Sequence, residues 1–492
     1  MNFGIIRNIL GKILILIAAL MGFPLIVSLI YQEGSKYYLS YIIPILILVA
    51  LGIILNIKKA KNSKMLVREG MIIVGLSWVL MPLFGSIPFL INGEIPNFFD
   101  AFFEMASGFT TTGASIVENV EALSHSTLFW RSFSHWIGGM GVLVFILAII
   151  PESKEGSSLH ILRAESPGPQ VGRLVSKMQA SSRILYYIYI GLTLLEFLLL
   201  VLGPDAKMDI FNSLVYSLGT AGTGGFAAHA DSLASFSHYS QYVIAIFMII
   251  FGINFTMFYL LLIRNFKEVR KNTEIKVYII TLAVSLLIIC LNIYPIIQNV
   301  SDTFRLALFQ VASIISTTGY ATTNYETWPA LSKTILLIIT VTGACAGSTA
   351  GGFKLSRVAI LFKSSISKIK RMVWPRKVES VNIDGKPLSD STVETVSGYL
   401  FIYLSIFVLC ALLISIHNPR IENMDLVTSF TASLTCINNV GPGLGPIVGP
   451  AGNFALFSNF SKLVLSFEMI AGRLELFPIL LLFSPNMWRK RN

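Results

Sequence analysis

Apolar runs of about 20 residues recur from the beginning to the end of the chain, separated by short polar connections. A run of that length can cross the roughly 30 Å hydrocarbon core of a bilayer as a helix. The first two runs, at 13–31 and 38–57, are joined by a short polar turn and predict a helical hairpin. The first run is too long for a cleaved signal and lacks a small-residue cleavage site, so we interpret it as a spanning helix.

After this hairpin one pattern recurs four times: a long apolar helix, a shorter half-polar helix, a loop with glycine and hydroxyl residues, and a second long helix. The repeats are predicted at 69–150, 182–264, 276–362 and 392–483. Two crossings in the hairpin and two in each repeat predict an all-α integral membrane fold with ten transmembrane helices. The predicted division is an N-terminal transmembrane hairpin at 1–66 and pore repeats at 67–160, 161–270, 271–377 and 378–492, arranged around one central pore.

An aspartate precedes each of the predicted short helices. The four are Asp100, Asp209, Asp302 and Asp425. Aspartate is a favoured helix N-cap, so we expect each to fix the outer end of its helix. The negative C-terminal end of each helix then points inward, which favours a cation there. Any one of these residues is explained equally well as an ordinary cap, and it is the fourfold recurrence that favours a common axis.

The loops that follow the short helices are the candidate ion site. Rings of backbone carbonyls can replace the hydration shell of a cation, and a glycine allows the backbone turn that directs them inward. We expect each glycine and the two residues before it to contribute. The candidates are Thr111, Thr112 and Gly113; Gly222, Thr223 and Gly224; Thr317, Thr318 and Gly319; and Asn439, Val440 and Gly441.

Composition supports a membrane protein, since 54% of the 492 residues are hydrophobic and only 13% are charged. The net charge of +11 comes from basic residues in connections on one predicted side, which the positive-inside rule assigns to the cytoplasm together with both termini. We therefore assign this charge to a rim facing lipid and not to nucleic acid. The four cysteines and six histidines form no ligand pattern, and no nucleotide or nucleophile motif occurs. An enzyme and a bound cofactor are not expected.

A run of small residues at 343–352 is too rich in glycine to remain a regular helix. It lies in the second long helix of repeat three, on the cytoplasmic side of the loops. We interpret it as a flexible plug in the conduction path; a small-residue packing face is the alternative. The candidate gate residues are Gly343, Ala346, Gly347, Ser348, Thr349, Gly351 and Gly352, together with Arg473.

Arg473 stands among apolar residues in the last long helix, where an arginine is costly unless it faces water or a partner. Its charge could repel cations from a closed path, and its donors could bind free carbonyls of the plug. Glu468, at i−5, and Glu475, at i+2, are candidate partners, although a residue at i+2 does not face Arg473 on a helix. Extension of the side chain to the inner surface is the alternative.

Three further carboxylates lie in or near predicted membrane segments. Glu104 is expected behind the first loop, and Glu118 is either a cation attractor at the outer mouth or a solvated loop charge. Glu196 is expected to be a buried, hydrogen-bonded structural group.

The ordered set of loops resembles the Trk/Ktr/HKT superfamily of potassium transporters, most closely its TrkH-like branch, the membrane subunits of bacterial Trk systems. Further segments that share this resemblance lie at 135–141, 163–169, 252–255, 346–352 and 472–475. The resemblance covers nearly the whole chain. It implies a homodimer in the bacterial inner membrane, one pore per protomer, a cytoplasmic nucleotide-binding regulatory subunit of the TrkA type, and Arg473 beside the plug. In the family a serine at the first filter position often accompanies sodium permeation, so Gly113 there favours potassium.

Two loops depart from the simple pattern, with Ala221 and Gly222 in the second and Asn439 and Val440 in the fourth, so we expect limited selectivity. The leading hypothesis is passive, channel-like potassium uptake. A symporter coupled to sodium or protons is the first alternative, with Glu104 as its one candidate carboxylate, and the conducting subunit of an ATP-driven pump is the second. The basic connection at 354–377 is either the place where a regulator acts on the gate or a contact with anionic lipid.

Overall fold

The computed structural model describes residues 1–58, 60, 66–141, 178–374, 380–418 and 424–488. The motif predicted at 163–169, the end of the second long helix of repeat one, and the C-terminal basic residues lie outside these ranges. Most of the described residues are helical, and the described strands form a two-stranded antiparallel hairpin, β1 Asn382–Ile383 and β2 Lys386–Pro387.

The predicted N-terminal hairpin is present as α1 Phe3–Ile30 and α2 Ser35–Asn56. Asn2 begins α1, because its side chain accepts a hydrogen bond from the amide of Ile5 at 3.3 Å. Gly11 and Gly52 face each other across the two helices, and a side chain on either would overlap the carbonyl of the other. Two glycines therefore allow this close packing.

Nine helices lie in the described parts of repeats one and two. They are α3 Val67–Gly85, α4 Ile87–Asn92, α5 Phe98–Phe109, α6 His125–Gly139, α7 Met178–Val201, α8 Ile210–Gly222, α9 His238–Phe251, α10 Phe255–Leu262 and α11 Phe266–Lys271. The short helices that precede the candidate loops are α5 and α8. A single 3₁₀ turn, Val120–Ala122, lies after the first loop.

Repeats three and four contain the remaining described helices. They are α12 Thr273–Ile297, α13 Val300–Ile315, α14 Ala330–Thr342, α15 Leu355–Val373, α16 Asp390–His417, α17 Leu426–Asn438, α18 Asn459–Arg473, α19 Phe477–Leu482 and α20 Pro485–Trp488. Here the short helices before the loops are α13 and α17. The β-hairpin lies between α15 and α16, and a second 3₁₀ turn is Tyr325–Thr327.

Within the described ranges, six helical segments are long and apolar enough to span a membrane, and the bent pair α9 and α10 would make a seventh. The sequence predicted ten crossings, and that number stays a prediction. The difference arises where long second helices were expected. Those predicted at 241–264 and 457–483 are interrupted in the structure, as is the one at 332–362, for which a break was expected.

Each unexpected break has a local cause. The axes of α9 and α10 differ by 92°, and Asn254 begins α10 by accepting a hydrogen bond from the amide of Thr256 at 2.8 Å. Between α18 and α19, Glu475 and Leu476 have φ of 52° and 66°, a left-handed conformation that ends a right-handed helix. The prediction of continuous helices at these two places was wrong, because apolarity alone does not report such backbone turns.

The predicted caps are confirmed in two of four cases. Asp209 and Asp425 begin α8 and α17, accepting hydrogen bonds from Asn212 and Thr428 at 2.7 Å each. The other two helices begin at asparagines, Asn97 for α5 and Asn299 for α13, so the prediction was wrong there. The aspartates of those helices lie in the first turn and form ion pairs instead, Asp100 with Lys462 at 2.6 Å and Asp302 with Arg305 at 2.9 Å.

The core lies around the four short helices, and much of the outer surface is apolar. Leu46 of α2, Leu287 of α12 and Phe401 of α16 are 63%, 61% and 74% exposed. Large apolar side chains on the outside of long helices are typical of surfaces that face lipid. Polar side chains are instead enclosed near the centre, where the candidate site lies.

Candidate site where four loops meet

All four short helices end with the same left-handed turn. The residues that adopt it are Thr111 with φ of 56°, Thr223 with 54°, Thr317 with 58° and Asn439 with 55°. Residues other than glycine rarely take this conformation. Its occurrence at four corresponding places identifies one backbone motif used four times.

The hydrogen bonds of these turns also agree. In each, the amide after the left-handed residue donates to the carbonyl five residues earlier. These bonds are Thr112 to Ser107 at 2.9 Å, Gly224 to Gly219 at 2.9 Å, Thr318 to Ser313 at 2.8 Å and Val440 to Thr435 at 3.0 Å. This is the Schellman arrangement, which satisfies carbonyls at a helix C-terminus. The loops defined by it are loop one (110–113), loop two (222–225), loop three (316–319) and loop four (438–441).

A glycine with positive φ follows in each loop: Gly113 at 78°, Gly225 at 82°, Gly319 at 86° and Gly441 at 97°. In loop two this is Gly225, one residue later than predicted. The residues equivalent to Thr111, Thr112 and Gly113 are thus Thr223, Gly224 and Gly225, and Gly222 precedes the turn. The spacing of adjacent glycines could not decide this register, whereas the hydrogen bonds do.

The four glycines bring the loops together in a closed ring. A side chain at Gly113 would overlap the carbonyl of Gly224, and one at Gly225 would overlap that of Thr318. A side chain at Gly319 would overlap the carbonyl of Val440, and one at Gly441 would overlap the carbonyl of Thr112. Each loop therefore contacts the next, and loop four contacts loop one, so the loops surround a common centre.

Above the ring is an open cavity of about 200 Å³, lined by Gly113, Gly225, Gly319 and Gly441 from the four loops. Glu118 lines the same cavity and is exposed, as expected for a charge at an outer mouth. Among the described residues, no group of three His, Cys, Asp or Glu side chains is placed to hold a metal ion. The cavity gives a solvent-side entrance to the ring.

The side chains that support the ring differ between loops. In loops one and three, hydroxyl pairs cross the turn, Thr110 with Thr112 at 2.8 Å and Ser316 with Thr318 at 2.7 Å. In loop four the amide of Asn439 instead donates to Thr112 Oγ1 at 3.0 Å and to the carbonyl of Met469 at 2.9 Å. That amide joins loop four directly to loop one.

Loop two is supported by His135 of α6. Its Nδ1 lies 2.7 Å from the carbonyl of Gly108, and its Nε2 accepts a hydrogen bond from the amide of Phe226 at 3.2 Å. One donor and one acceptor nitrogen correspond to a neutral imidazole. Gly222 and Gly224 lack side chains because a Cβ on either would overlap His135. This explains why loop two departs from the hydroxyl pattern.

Glu104 lies behind loop one, where the sequence placed it. Its carboxylate pairs with Arg131 Nε at 2.8 Å and accepts from the amide of Ile116 at 2.9 Å. Arg131 also donates to the carbonyl of Ala227 at 3.3 Å and lies over the ring of Phe226 at 4.2 Å. This buried pair ties the segments that follow loops one and two. Sequence reasoning missed Arg131, although it is a charged residue in a predicted spanning helix.

The remaining carboxylates have other surroundings. Glu196 is fully buried in α7, as expected, and the side chain of Thr220 in α8 is its hydrogen-bonding partner. Glu468 is also fully buried and accepts a hydrogen bond from Ser433 Oγ at 2.6 Å.

The break between α14 and α15 forms a connecting loop, residues 343–354, that lies against the ring. The amide of Gly351 donates to Thr317 Oγ1 at 2.7 Å, and a side chain at Gly351 would overlap loop four. On its other side the connecting loop is hydrogen-bonded to the break between α9 and α10. The backbone amide of Cys345 donates to the carbonyl of Gly252 at 3.2 Å, and the backbone amide of Phe255 donates to the carbonyl of Gly347 at 3.0 Å. The connecting loop therefore bridges loops three and four to repeat two.

Arg473 binds backbone carbonyls. One guanidinium nitrogen donates to the carbonyl of Thr349 in the connecting loop at 2.6 Å, and another donates to those of Gly138 and Gly139 at 2.6 Å. Glu475 lies past the end of α18 and pairs with Arg357 of α15. The expected contact of Arg473 with a carbonyl of the glycine-rich segment is thus observed.

Comparison with known proteins adds a consistent result. The chain matches the profile of the TrkH family, described as a cation transport protein, over residues 39–490. It is 34% identical over 499 residues to the Trk system potassium uptake protein TrkH of Salmonella typhimurium, covering 100% of both chains. It is 30% identical over 471 residues to the Trk system potassium uptake protein TrkG of Escherichia coli K12, covering 95% of this chain and 94% of that one. The crystal structure of the potassium transporter TrkH from Vibrio parahaemolyticus is similar with a TM-score of 0.85 and 31% identity, over 99% of this chain and 100% of that chain.

Proposed function

This chain belongs to the TrkH family of cation transport proteins, and on that premise we propose that it carries potassium into the cell through the ring of loops one to four. The observation that carries the proposal is the closed contact of the four loops at their glycines. A dehydrated cation needs several oxygen ligands at once, and backbone carbonyls supply them without fixed charge. Four equivalent turns around one centre are suited to that task.

In this proposal the ring residues are the potassium ligands. They are Thr111, Thr112 and Gly113; Thr223, Gly224 and Gly225; Thr317, Thr318 and Gly319; and Asn439, Val440 and Gly441. The buried position of the ring below an open cavity supports this assignment, because irregular backbone in a membrane is tolerated where it lines a wet path. The absence of a side chain at Gly113 leaves loop one in direct contact with loop two.

We propose that the connecting loop is the gate and that Arg473 holds it in the closed position. The contact of Gly351 with Thr317 supports a position directly beside the ring. The Arg473 guanidinium places a positive charge next to Thr349, where it would oppose a cation. Opening then requires the hydrogen bond between Arg473 and the carbonyl of Thr349 to break.

The proposed transport is passive, driven by a membrane potential worth about 2.3 kcal/mol per charge per 100 mV. We further propose that the protein is a homodimer in the bacterial inner membrane, with both termini in the cytoplasm. Each protomer would consist of the N-terminal hairpin and the four pore repeats whose bounds were predicted from the sequence. A cytoplasmic nucleotide-binding subunit of the TrkA type would regulate it. The basic residues of α15, beyond the connecting loop, are a suitable surface for that subunit.

The test is potassium flux in liposomes that contain the purified protein, with an imposed potential. We expect flux that follows the potential and persists without sodium, a proton gradient or ATP. Flux that requires sodium or protons would contradict the passive mechanism and support the symporter. No potassium flux in any condition, with the regulatory subunit present, would contradict the proposed function itself.

A further inference from the structure

Glu274 contacts both the connecting loop and the helix that follows it. It is the second residue of α12, and its Oε1 accepts a hydrogen bond from the amide of Ala346 at 2.7 Å and another from the amide of Ser356 at 3.1 Å. Ala346 lies in the connecting loop and Ser356 lies just after it. One carboxylate oxygen therefore holds together the two sides of the break between α14 and α15.

The helix that follows the break needs such an acceptor. The first amides of a helix have no partner within that helix, and the residue before α15, Lys354, supplies no side-chain cap. Ser356 is in the first turn of α15, so the carboxylate of Glu274 caps this helix from a different one. A negative charge at a helix N-terminus is also favoured by the helix dipole.

This contact is possible only while the helix is broken. If α14 and α15 were continuous, the amide of Ala346 would donate to the carbonyl of Thr342, and that of Ser356 to the carbonyl of Gly352. Glu274 would then lose both donors. An interaction present in only one of two states shifts the equilibrium toward that state.

We propose that Glu274 is a positioning residue that holds the connecting loop in its broken, closed form, and that opening requires its release. This inference rests on the proposed function of the connecting loop as a gate. It adds a residue outside the segments in which the sequence placed the gate.

The β-hairpin is hydrogen-bonded to Thr273, the residue directly before Glu274. Asp384, in the turn between β1 and β2, accepts a hydrogen bond from the amide of Thr273 at 2.6 Å, and its own amide donates to Thr273 Oγ1 at 3.1 Å. Ile383 of the same hairpin is buried in a cluster with Ile360 of α15 and Val396 of α16. Displacement of this hairpin by a cytoplasmic regulator would therefore move the residue next to Glu274.

The test compares Glu274→Ala and Glu274→Gln with the matched control Glu268→Ala. Glu268 is exposed on α11, at a surface pair with Lys271 of 3.9 Å. In liposomes without regulatory subunit, we expect Glu274→Ala to raise potassium flux about tenfold, because two hydrogen bonds to a charged acceptor are lost from the closed state only. Glu274→Gln, which keeps an acceptor oxygen, should give a smaller rise, and Glu268→Ala none.

A second measurement uses Cys345, which is fully buried in the connecting loop. We expect a water-soluble thiol reagent to modify Cys345 faster in Glu274→Ala than in the wild type or in Glu268→Ala, as measured by mass spectrometry of the peptide. Wild-type flux together with wild-type labelling in a folded Glu274→Ala protein would overturn the inference, as would reduced flux with unchanged labelling. If Cys345 is labelled faster in Glu274→Ala but the wild-type protein carries no potassium, the role of Glu274 in holding the connecting loop would be supported and the proposed function rejected.

Discussion

Loops one and three hold their turns with their own hydroxyl pairs, whereas loops two and four rely on groups outside the hydroxyl pattern. His135 supports loop two from α6, and Asn439 joins loop four to loop one. The backbone is nevertheless the same in all four, with one left-handed residue and one glycine of positive φ. The shape of the turn is therefore the common element, and different side chains stabilise it.

The two kinds of side-chain support alternate around the ring. Loops with hydroxyl pairs are adjacent to loops without them, so the support around the centre has at most twofold regularity. A ring supported in this way is expected to hold its carbonyls less uniformly than one with four identical walls. That expectation agrees with the limited selectivity inferred from the sequence.

The largest effect is expected where all four loops are alike, at the glycines. Gly225→Ala places a Cβ against the carbonyl of Thr318 and forces a left-handed conformation on alanine. We expect potassium flux to fall roughly a hundredfold, because strain and overlap together cost about 3 kcal/mol. Gly191→Ala is the control, since nothing lies near Gly191, and its flux should be unchanged. Normal flux in Gly225→Ala would contradict the contact between loops two and three.

A smaller effect is expected at the support of loop two. His135→Ala leaves the carbonyl of Gly108 and the amide of Phe226 without their partner, which costs about 2 kcal/mol for buried groups. We expect the permeability ratio of potassium to sodium to fall about tenfold, measured by reversal potentials in a planar bilayer. His238→Ala, at an exposed position in α9, is the control. An unchanged ratio in His135→Ala would mean that loop two does not need this support.

The smallest effect separates two loops that appear equivalent. Thr112→Val removes a hydroxyl that is hydrogen-bonded to both Thr110 and Asn439. Thr318→Val removes a hydroxyl for which one such bond, to Ser316, is described above. Because one hydrogen bond contributes about 1 kcal/mol, we expect the ion selectivity of Thr112→Val to fall roughly fivefold more than that of Thr318→Val. Equal effects in the two variants would remove the special link between loops one and four.

Much of this arrangement could be predicted from the sequence because it depends on apolar length and on glycine. The hairpin, the four short helices and the loops after them follow from those two signals. The register of loop two could not be predicted, since Gly222, Gly224 and Gly225 are equally permissive on paper and the choice is made by hydrogen bonds to Gly219 and by packing on His135.

Other features depend on contacts between distant segments. Asp100 and Asp302 resemble caps, yet their helices begin at asparagines three residues earlier, and Lys462 and Arg305 pair with the aspartates. Glu274 lies more than 70 residues before Ala346, so no local pattern connects them. Sequence periodicity places elements, but it does not report which carboxylate caps which distant helix.

The most direct test of the central claim is an anomalous-scattering map of crystals grown with thallium, a heavy substitute for potassium. We expect anomalous density on the axis of the ring, surrounded by the carbonyls of Thr112, Gly224, Thr318 and Val440, and its displacement by excess potassium. Thallium bound only elsewhere, with an empty ring, would contradict the claim that these four loops form the cation path.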